Sequence, residues 1–435
     1  MKPTTRDCIF YSLMASSLFA CWNPATAQTP VAELAKALAA DDLDAVGAAV
    51  AAGRETLGHR AGEPEVPDVF RRVPADARLY SREEAQRGFL PCPATFEKVR
   101  WWKADVDPET LTAPLRVPAS VILGSAAAAR VPLDGAEAGL AMANEAGNFL
   151  IWAQDQAGAG LYPFPAARGP SDAQAMKVAH RFLARAERAG TLQSVVRNGW
   201  VFDDAGDGGL QFDNGECGAA MLALHGVTKD DRYLVSARRA ADWAATRPLC
   251  TNWNYNSFSV FLLAKIYGVT QEAKYLDAAV HKARLGVIPG QLVDGPHVGR
   301  WLDPHNARPA YHYIMMRALA QLAAVIPPDH ADRPGIVRSL ALGLTTRNNE
   351  MVTRGVMTKD HAMEALLLVN HAFRNDRQFL RETHSAEALN ALGRLVSAEA
   401  RRGGQPLGPG AWGLFLEFIL RGSDADLPQS RTTVP

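Results

Sequence analysis

The sequence is short of most features that mark specialised chains. Its 46 Lys and Arg offset 46 Asp and Glu, and without net charge there is no overall pull toward nucleic acid or an anionic membrane. Any polyanion would have to be met by a local basic site. Cysteine is scarce, five in 435 residues, with no CxxC pair and no Cys/His run at zinc spacing, which argues against a structural zinc site. No apolar run reaches the roughly 20 residues that a membrane-spanning helix needs. A P-loop, a dinucleotide GxGxxG, a GxSxG elbow and an HExxH helix are all missing. Asp203, Asp204 and Asp207 share a glycine-containing loop, but the bidentate Glu of a calcium loop is lacking at the required spacing. No cofactor and no metal are expected. What remains, 48% hydrophobic and 21% charged residues, is the composition of an ordinary folded protein.

The first residues read as an export signal. Lys2 and Arg6 precede an apolar run from Ile9 to Trp22, then Pro24 and the small triplet Ala25-Thr26-Ala27, so cleavage is expected after Ala27. Leu18-Phe19-Ala20-Cys21 offers the alternative of a lipobox, with a lipid anchor at Cys21. The expectation is a periplasmic or secreted protein, or a membrane-attached lipoprotein, with no transmembrane span after processing. Cleavage after Ala27 leaves three cysteines, Cys92, Cys217 and Cys250, enough for one bridge.

Residues 30–52 are Ala-rich and read as a small helical hairpin, and residues 62–117 are proline-rich with little periodicity, an extended segment wrapping a larger body. The informative feature is a repeat. LALHGVTKDDRYLVSA at 222–237 recurs as AKIYGVTQEAKYLDAA at 264–279, an offset of 42 residues. Each unit reads as an apolar helix, a glycine-containing turn and an amphipathic helix, a hairpin that must stack on neighbours to bury its apolar face. Inner-type helices are expected from about Gly135, Gly215, Asn256, Ala307, Lys359 and Pro409, the first running through Trp152 with a partner from Asp172 to Ala189. The organisation expected is a signal at 1–27, a hairpin and wrapping segment at 28–132, a helical body at 133–422 and a tail at 423–435. The very apolar inner helices favour closure into an all-α (α/α) toroid of about six hairpins over an open solenoid.

Phe212-Asp213-Asn214-Gly215-Glu216, Asn252-Trp253-Asn254-Tyr255-Asn256, Gly160 to Pro165 and the repeated hairpins together resemble the six-hairpin toroid enzymes that act on polysaccharides, lyases and glycoside hydrolases alike. The resemblance implies a glycan substrate bound at the end of the ring where the inner helices begin. There Cys217 and Cys250 would lie together, bridged or as two buried thiols.

The loop from Asp294 to His312 is the richest stretch, with three His, two Arg, two Asp, a Trp and a Tyr, more than a connection needs. Two chemistries fit. β-Elimination from a uronate needs a group to neutralise the carboxylate, a base for the C5 proton and an acid for the leaving oxygen. Arg300, Arg308, Asn254 and Asn306 are candidates for the first role, His305 and His312 for the base, and Tyr255 and Tyr311 for the acid, with Trp253 and Trp301 as stacking surfaces. This is the leading expectation. Glycoside hydrolysis needs two facing carboxylates, for which Asp213 with Asp303 or Asp360 are the candidates. A third reading is a non-catalytic helical-repeat protein that binds a glycan or an envelope partner.

Overall fold

The computed structural model describes residues 24–62, 69–89, 101–102, 106–169, 174–206, 208–302 and 308–422. The export signal therefore lies almost wholly outside the described residues, as do Cys92, Asp303, His305, Asn306 and the tail. Among the described residues no helix is long and apolar enough to cross a membrane.

The chain opens with α1 (Pro24–Ala39), α2 (Leu43–Gly62) and the short α3 (Arg82–Gly88), which is started by a reciprocal capping box between Ser81 and Glu84. Then come α4 (Arg116–Ala128) and α5 (Ala136–Ala157), followed by an excursion holding α6 (Gln174–Arg188), α7 (Leu192–Val195) and three two-residue strands. β1 (Phe164–Pro165) and β2 (Val196–Arg197) both pair antiparallel with β3 (Trp200–Val201). The rest is helical: α8 (Gly209–Thr228), α9 (Asp231–Thr246), α10 (Trp253–Thr270), α11 (Ala273–Gly286), α12 (Pro309–Val325), α13 (Arg333–Arg354), α14 (Asp360–Ala372), α15 (Arg377–Glu382), α16 (Ser385–Arg401) and α17 (Pro409–Arg421).

Six helices form a closed inner ring. α4 packs on α8, α8 on α10, α10 on α12, α12 on α14, α14 on α17, and α17 returns to α4. Around them stand α5, α9, α11, α13 and α16, and α3 of the N-terminal segment covers α17 in the sixth outer place. The protein is thus an all-α (α/α) toroid of six hairpins, as expected, with the last hairpin completed by the start of the chain.

Closure explains why the inner helices are apolar almost all round: α10 buries Phe258, Val260, Leu262, Leu263 and Ile266 on several faces at once. The outer helices are amphipathic by contrast, and the repeated Tyr233 and Tyr275 bury their rings at equivalent places. The turn of the repeat is displaced from the reading above. Gly226 and Gly268 lie inside α8 and α10, and the left-handed residues that end those helices are Lys229 (φ 60°) and Gln271 (φ 56°), still 42 apart.

Two assignments need correction. The first inner helix is α4, inside the stretch read as a wrapping segment, and Gly135 to Trp152 belongs to the outer helix α5. Pro118 disguised α4, although a proline in the first helical turn has no hydrogen bond to forfeit. The stretch from Asp172 to Ala189 is likewise no partner in the ring: α6 packs on the small sheet, around Leu161, Phe164, Met176 and Leu183.

Candidate active site

All six inner helices run the same way, so their N-terminal turns surround one mouth. Asn252 caps α10 by accepting the N–H of Asn254 at 3.1 Å, which sets Asn254, Phe258, Phe261 and Lys265 at helical spacing along the lumen side. α8 brings Phe212, Asp213 and Glu216, and the rings of Phe212 and Phe258 stack at 4.0 Å. Arg116, the first residue of α4, lies over the other side of this pair, 3.8 Å from the Phe212 centroid.

Arg116 also meets Asp213. Its backbone N–H donates to Oδ1 at 3.3 Å, and its Nη2 stands 3.3 Å from Oδ2 without the alignment of a hydrogen bond. Burial pushes the Asp213 carboxyl up against the opposing pull of Arg116. Across the ring, α14 presents Asp360, His361 and Glu364. Asp360 accepts the N–H of Gly408 at 2.5 Å, and burial raises its carboxyl and that of Glu364. Burial, helped by Arg317, holds His361 down to about 4, so its imidazole is neutral near pH 7. Below the mouth, Arg317 of α12 binds Glu216 of α8 through Nη2 and Glu364 of α14 through Nη1, joining helices that face each other in the ring.

Several buried atoms at this mouth lack a hydrogen-bond partner. Both amide atoms of the fully buried Asn254, Asp213 Oδ2 and His361 Nδ1 make no hydrogen bond. Unpaired buried polar atoms are costly and uncommon, and here they belong to three helices around one opening. The arrangement suits a polar ligand that supplies both donors and acceptors. Among the described residues no group of His, Cys, Asp or Glu gathers as a metal centre.

The residues expected from the sequence divide sharply. Asp213 and Asn254 stand at the mouth, and Asp360 faces them. Tyr255 is half-buried, its ring beside Gly208, while Arg308 caps α12 and Tyr311 sits half-buried in that helix's first turn. Asp303, His305 and Asn306 lie outside the described residues. Four candidates are structural instead. His312 is fully buried between α12 and α13, where its Nδ1 accepts from Arg347 Nε at 2.9 Å and Nη2 at 2.6 Å. Burial with Arg347 beside it drives its ring well below the usual histidine range, so it does not face the lumen as a base. Trp301 packs on it and donates to the Val287 carbonyl at 2.9 Å, Trp253 donates to that of Leu302 at 2.5 Å, and Arg300 pairs with Glu350 at 2.5 Å. The aromatic and basic density of the loop therefore pins it to α13 and to the turn after α11. Cys217 and Cys250 are both buried and unbridged.

Arg116, Arg317 and Glu364 were not singled out from the sequence, and His361 was noted only as a histidine at an inner-helix start. For Arg317 and Glu364 a signal existed: Arg317 is the lone charge in its inner helix, as in YIMMRALAQ, and Glu364 interrupts the apolar run AMEALLLV, and such a charge must face a partner or a cavity.

No protein-family model matches the chain, and no curated protein matches it. Among solved structures it is similar to a glycosyl hydrolase family 88 protein from Bacteroides vulgatus, at 10% identity over 78% of this chain and 98% of that one, with a TM-score of 0.46. A polysaccharide lyase overlaps at 12% identity over 78% of this chain and 96% of that one, TM-score 0.46. A glycoside hydrolase family 76 mannosidase from Bacteroides thetaiotaomicron VPI-5482 overlaps at 12% identity over 71% and 85%, TM-score 0.40. The ring itself rests on the helix packing above, and residue roles rest on the site.

Proposed function

We propose that the chain is a carbohydrate-active enzyme that cleaves a glycan at the N-terminal mouth of its ring, and that it works outside the cytoplasm, as its first 27 residues suggest. The observation that carries this is the set of buried polar atoms without a hydrogen bond on Asn254, Asp213 and His361, with Asp213 and Asp360 on opposite helices of the ring. Hydrolysis is the best-supported reaction. It requires two carboxyl groups facing each other across the scissile bond, about 5 Å apart for retention or roughly 6.5–9.5 Å for inversion. Asp213, kept protonated to higher pH by burial, is the proton donor, and Asp360 on α14 is the opposing carboxylate. Arg317 holds Glu216 and Glu364 beneath them, and the stacked Phe212 and Phe258 offer an apolar face to a sugar ring.

Elimination from a uronate, the leading expectation from the sequence, keeps one specific support. The Asn254 amide and the Arg116 guanidinium lie on the two helices that flank α8, where a substrate carboxylate would need neutralising. Of its two candidate histidine bases, His312 is committed to Arg347, and His305 lies outside the described residues.

A panel of neutral and acidic oligosaccharides separates the readings. New reducing ends without the ultraviolet absorbance of an unsaturated product, abolished by Asp213→Asn, are expected. Matching ultraviolet absorbance from an unsaturated product would replace hydrolysis by elimination. Binding without turnover of any panel member would favour the helical-repeat reading.

A further inference from the structure

The lumen has a second end. Counting one to two turns onward from the Glu216–Arg317–Glu364 brace brings Ala223 on α8, Lys265 on α10, Gln321 on α12, Leu368 on α14 and Arg421 on α17 toward the C-terminal mouth, with Arg130 just past α4. All six are half-buried. This layer carries three cations, Arg130, Lys265 and Arg421, against the single carboxylate of Glu417.

Glu417 is already taken. Arg130 grips it through Nε at 2.7 Å and Nη2 at 2.5 Å, and Arg421 Nε adds a third contact at 3.0 Å. Arg116 and Arg317 have their own carboxylates. Lys265 is in direct contact with none: its Nζ makes no hydrogen bond or ion pair among the described residues and lies 5.1 Å from the centroid of the Phe261 ring. Arg317 lies 4.2 Å from that same centroid, so two cations share one aromatic ring. Burial, with Arg130 and Arg317 nearby and against the opposing pull of Glu364 and Glu216, lowers the Lys265 ammonium to about 8.

Compensation of helix C-terminal dipoles accounts for Arg421, in the last turn of α17, and for Arg130. It does not account for Lys265, which lies five residues before the end of α10 and donates to no carbonyl.

We infer that the C-terminal mouth of the ring is an anion-binding basin in which Lys265, flanked by Arg130 and floored by Phe261, takes the oxyanion of a small ligand, either a sugar carboxylate or inorganic phosphate. An oxyanion there receives the one ammonium in the layer that makes no ion pair with a carboxylate. This basin is separate from the mouth at Asp213 and does not rest on hydrolysis taking place there.

The test needs neither turnover nor a substitution at the outset. Lysines of the native protein are acetylated with acetic anhydride near pH 8, and the rate at each is read by mass spectrometry with no addition, with inorganic phosphate, with glucuronate and with glucose. Lys265 is expected to react readily alone, to be slowed several-fold by phosphate or glucuronate, and to be unaffected by glucose; the effective anion names the source. Calorimetric titration of Lys265→Met with that anion should show binding weakened by about tenfold or more, as loss of a charge-assisted contact implies. Equal labelling with and without both anions, or failure of Lys265 to react at all, overturns the basin, and so does undiminished binding by a folded Lys265→Met protein.

Discussion

Arg116 holds Asp213 at two points, through its backbone N–H at 3.3 Å from Oδ1 and its guanidinium at 3.3 Å from Oδ2. The residue that starts the first inner helix thereby lowers the proton affinity of a carboxyl on the second. Burial raises Asp213 and Arg116 opposes the rise. If Asp213 donates the proton, activity falls as pH climbs through its pKa. Arg116→Met removes the opposing charge, so the alkaline limb of the pH–rate profile should move to higher pH, while Asp213→Asn should lower kcat by about 10²–10⁴-fold. An unmoved limb would remove Asp213 from the donor role.

Arg317 is the cation on which Glu216 and Glu364 both depend. Its removal leaves two carboxyl groups in a desolvated lumen with no common counter-ion. Breaking a buried pair from one side costs roughly 3–5 kcal/mol, so Arg317→Met should lower the urea midpoint sharply. Adding Glu216→Gln and Glu364→Gln should restore much of the loss, because neutral amides do not need the guanidinium. A triple variant no more stable than Arg317→Met would mean that the arginine acts through packing alone.

Acid should unfold this protein in a defined window. His361 and His312 are held neutral in the folded chain, His361 down to about 4 and His312 also well below the ordinary 6.5. As pH falls below the ordinary value, the unfolded chain takes up protons that the folded chain refuses. The stability these rings contribute is complete above about 6.5 and drains away toward 4. His361→Gln should flatten the thermal midpoint between these values relative to the parent. An equally steep decline would assign the acid sensitivity elsewhere.

The fold was legible where its contacts repeat. Tyr233 and Tyr275 fill the same place in successive hairpins, so their spacing survives in the chain, and the demand for burial on every face shows in the composition of α10. α4 was not legible, because prolines before it and within its first turn look like those of an extended segment. The site was legible only at its rim. Asp213 and Asn254 stand in polar clusters that invite attention, whereas Arg317 and Glu364 gain meaning only when ring closure brings α8, α12 and α14 together. His312, Trp301 and Trp253 misled for the opposite reason: a loop pinned by buried hydrogen bonds needs the same residue types as a binding loop.

Ring closure depends on two glycines. α4 and α17, first and last of the inner helices, approach so closely that a Cβ on Gly124 would fall on the Pro409 carbonyl oxygen, and one on Gly413 would fall on the backbone of Gly124. Both obstacles are main chain, so no side chain can rotate away, and the helices must separate. Overpacking costs typically 1–3 kcal/mol and more where backbone has to move. Gly413→Ala should therefore lower the thermal midpoint and expose the segments 116–128 and 409–421 to limited proteolysis. Gly226→Ala is the internal control. It too replaces a glycine within an inner helix, but with open space around the new methyl group, so helix propensity alone acts and stability should rise by up to about 1 kcal/mol. Opposite signs for the two substitutions would tie the stability of the whole ring to the seam between α4 and α17; a neutral Gly413→Ala would show that the seam yields without cost.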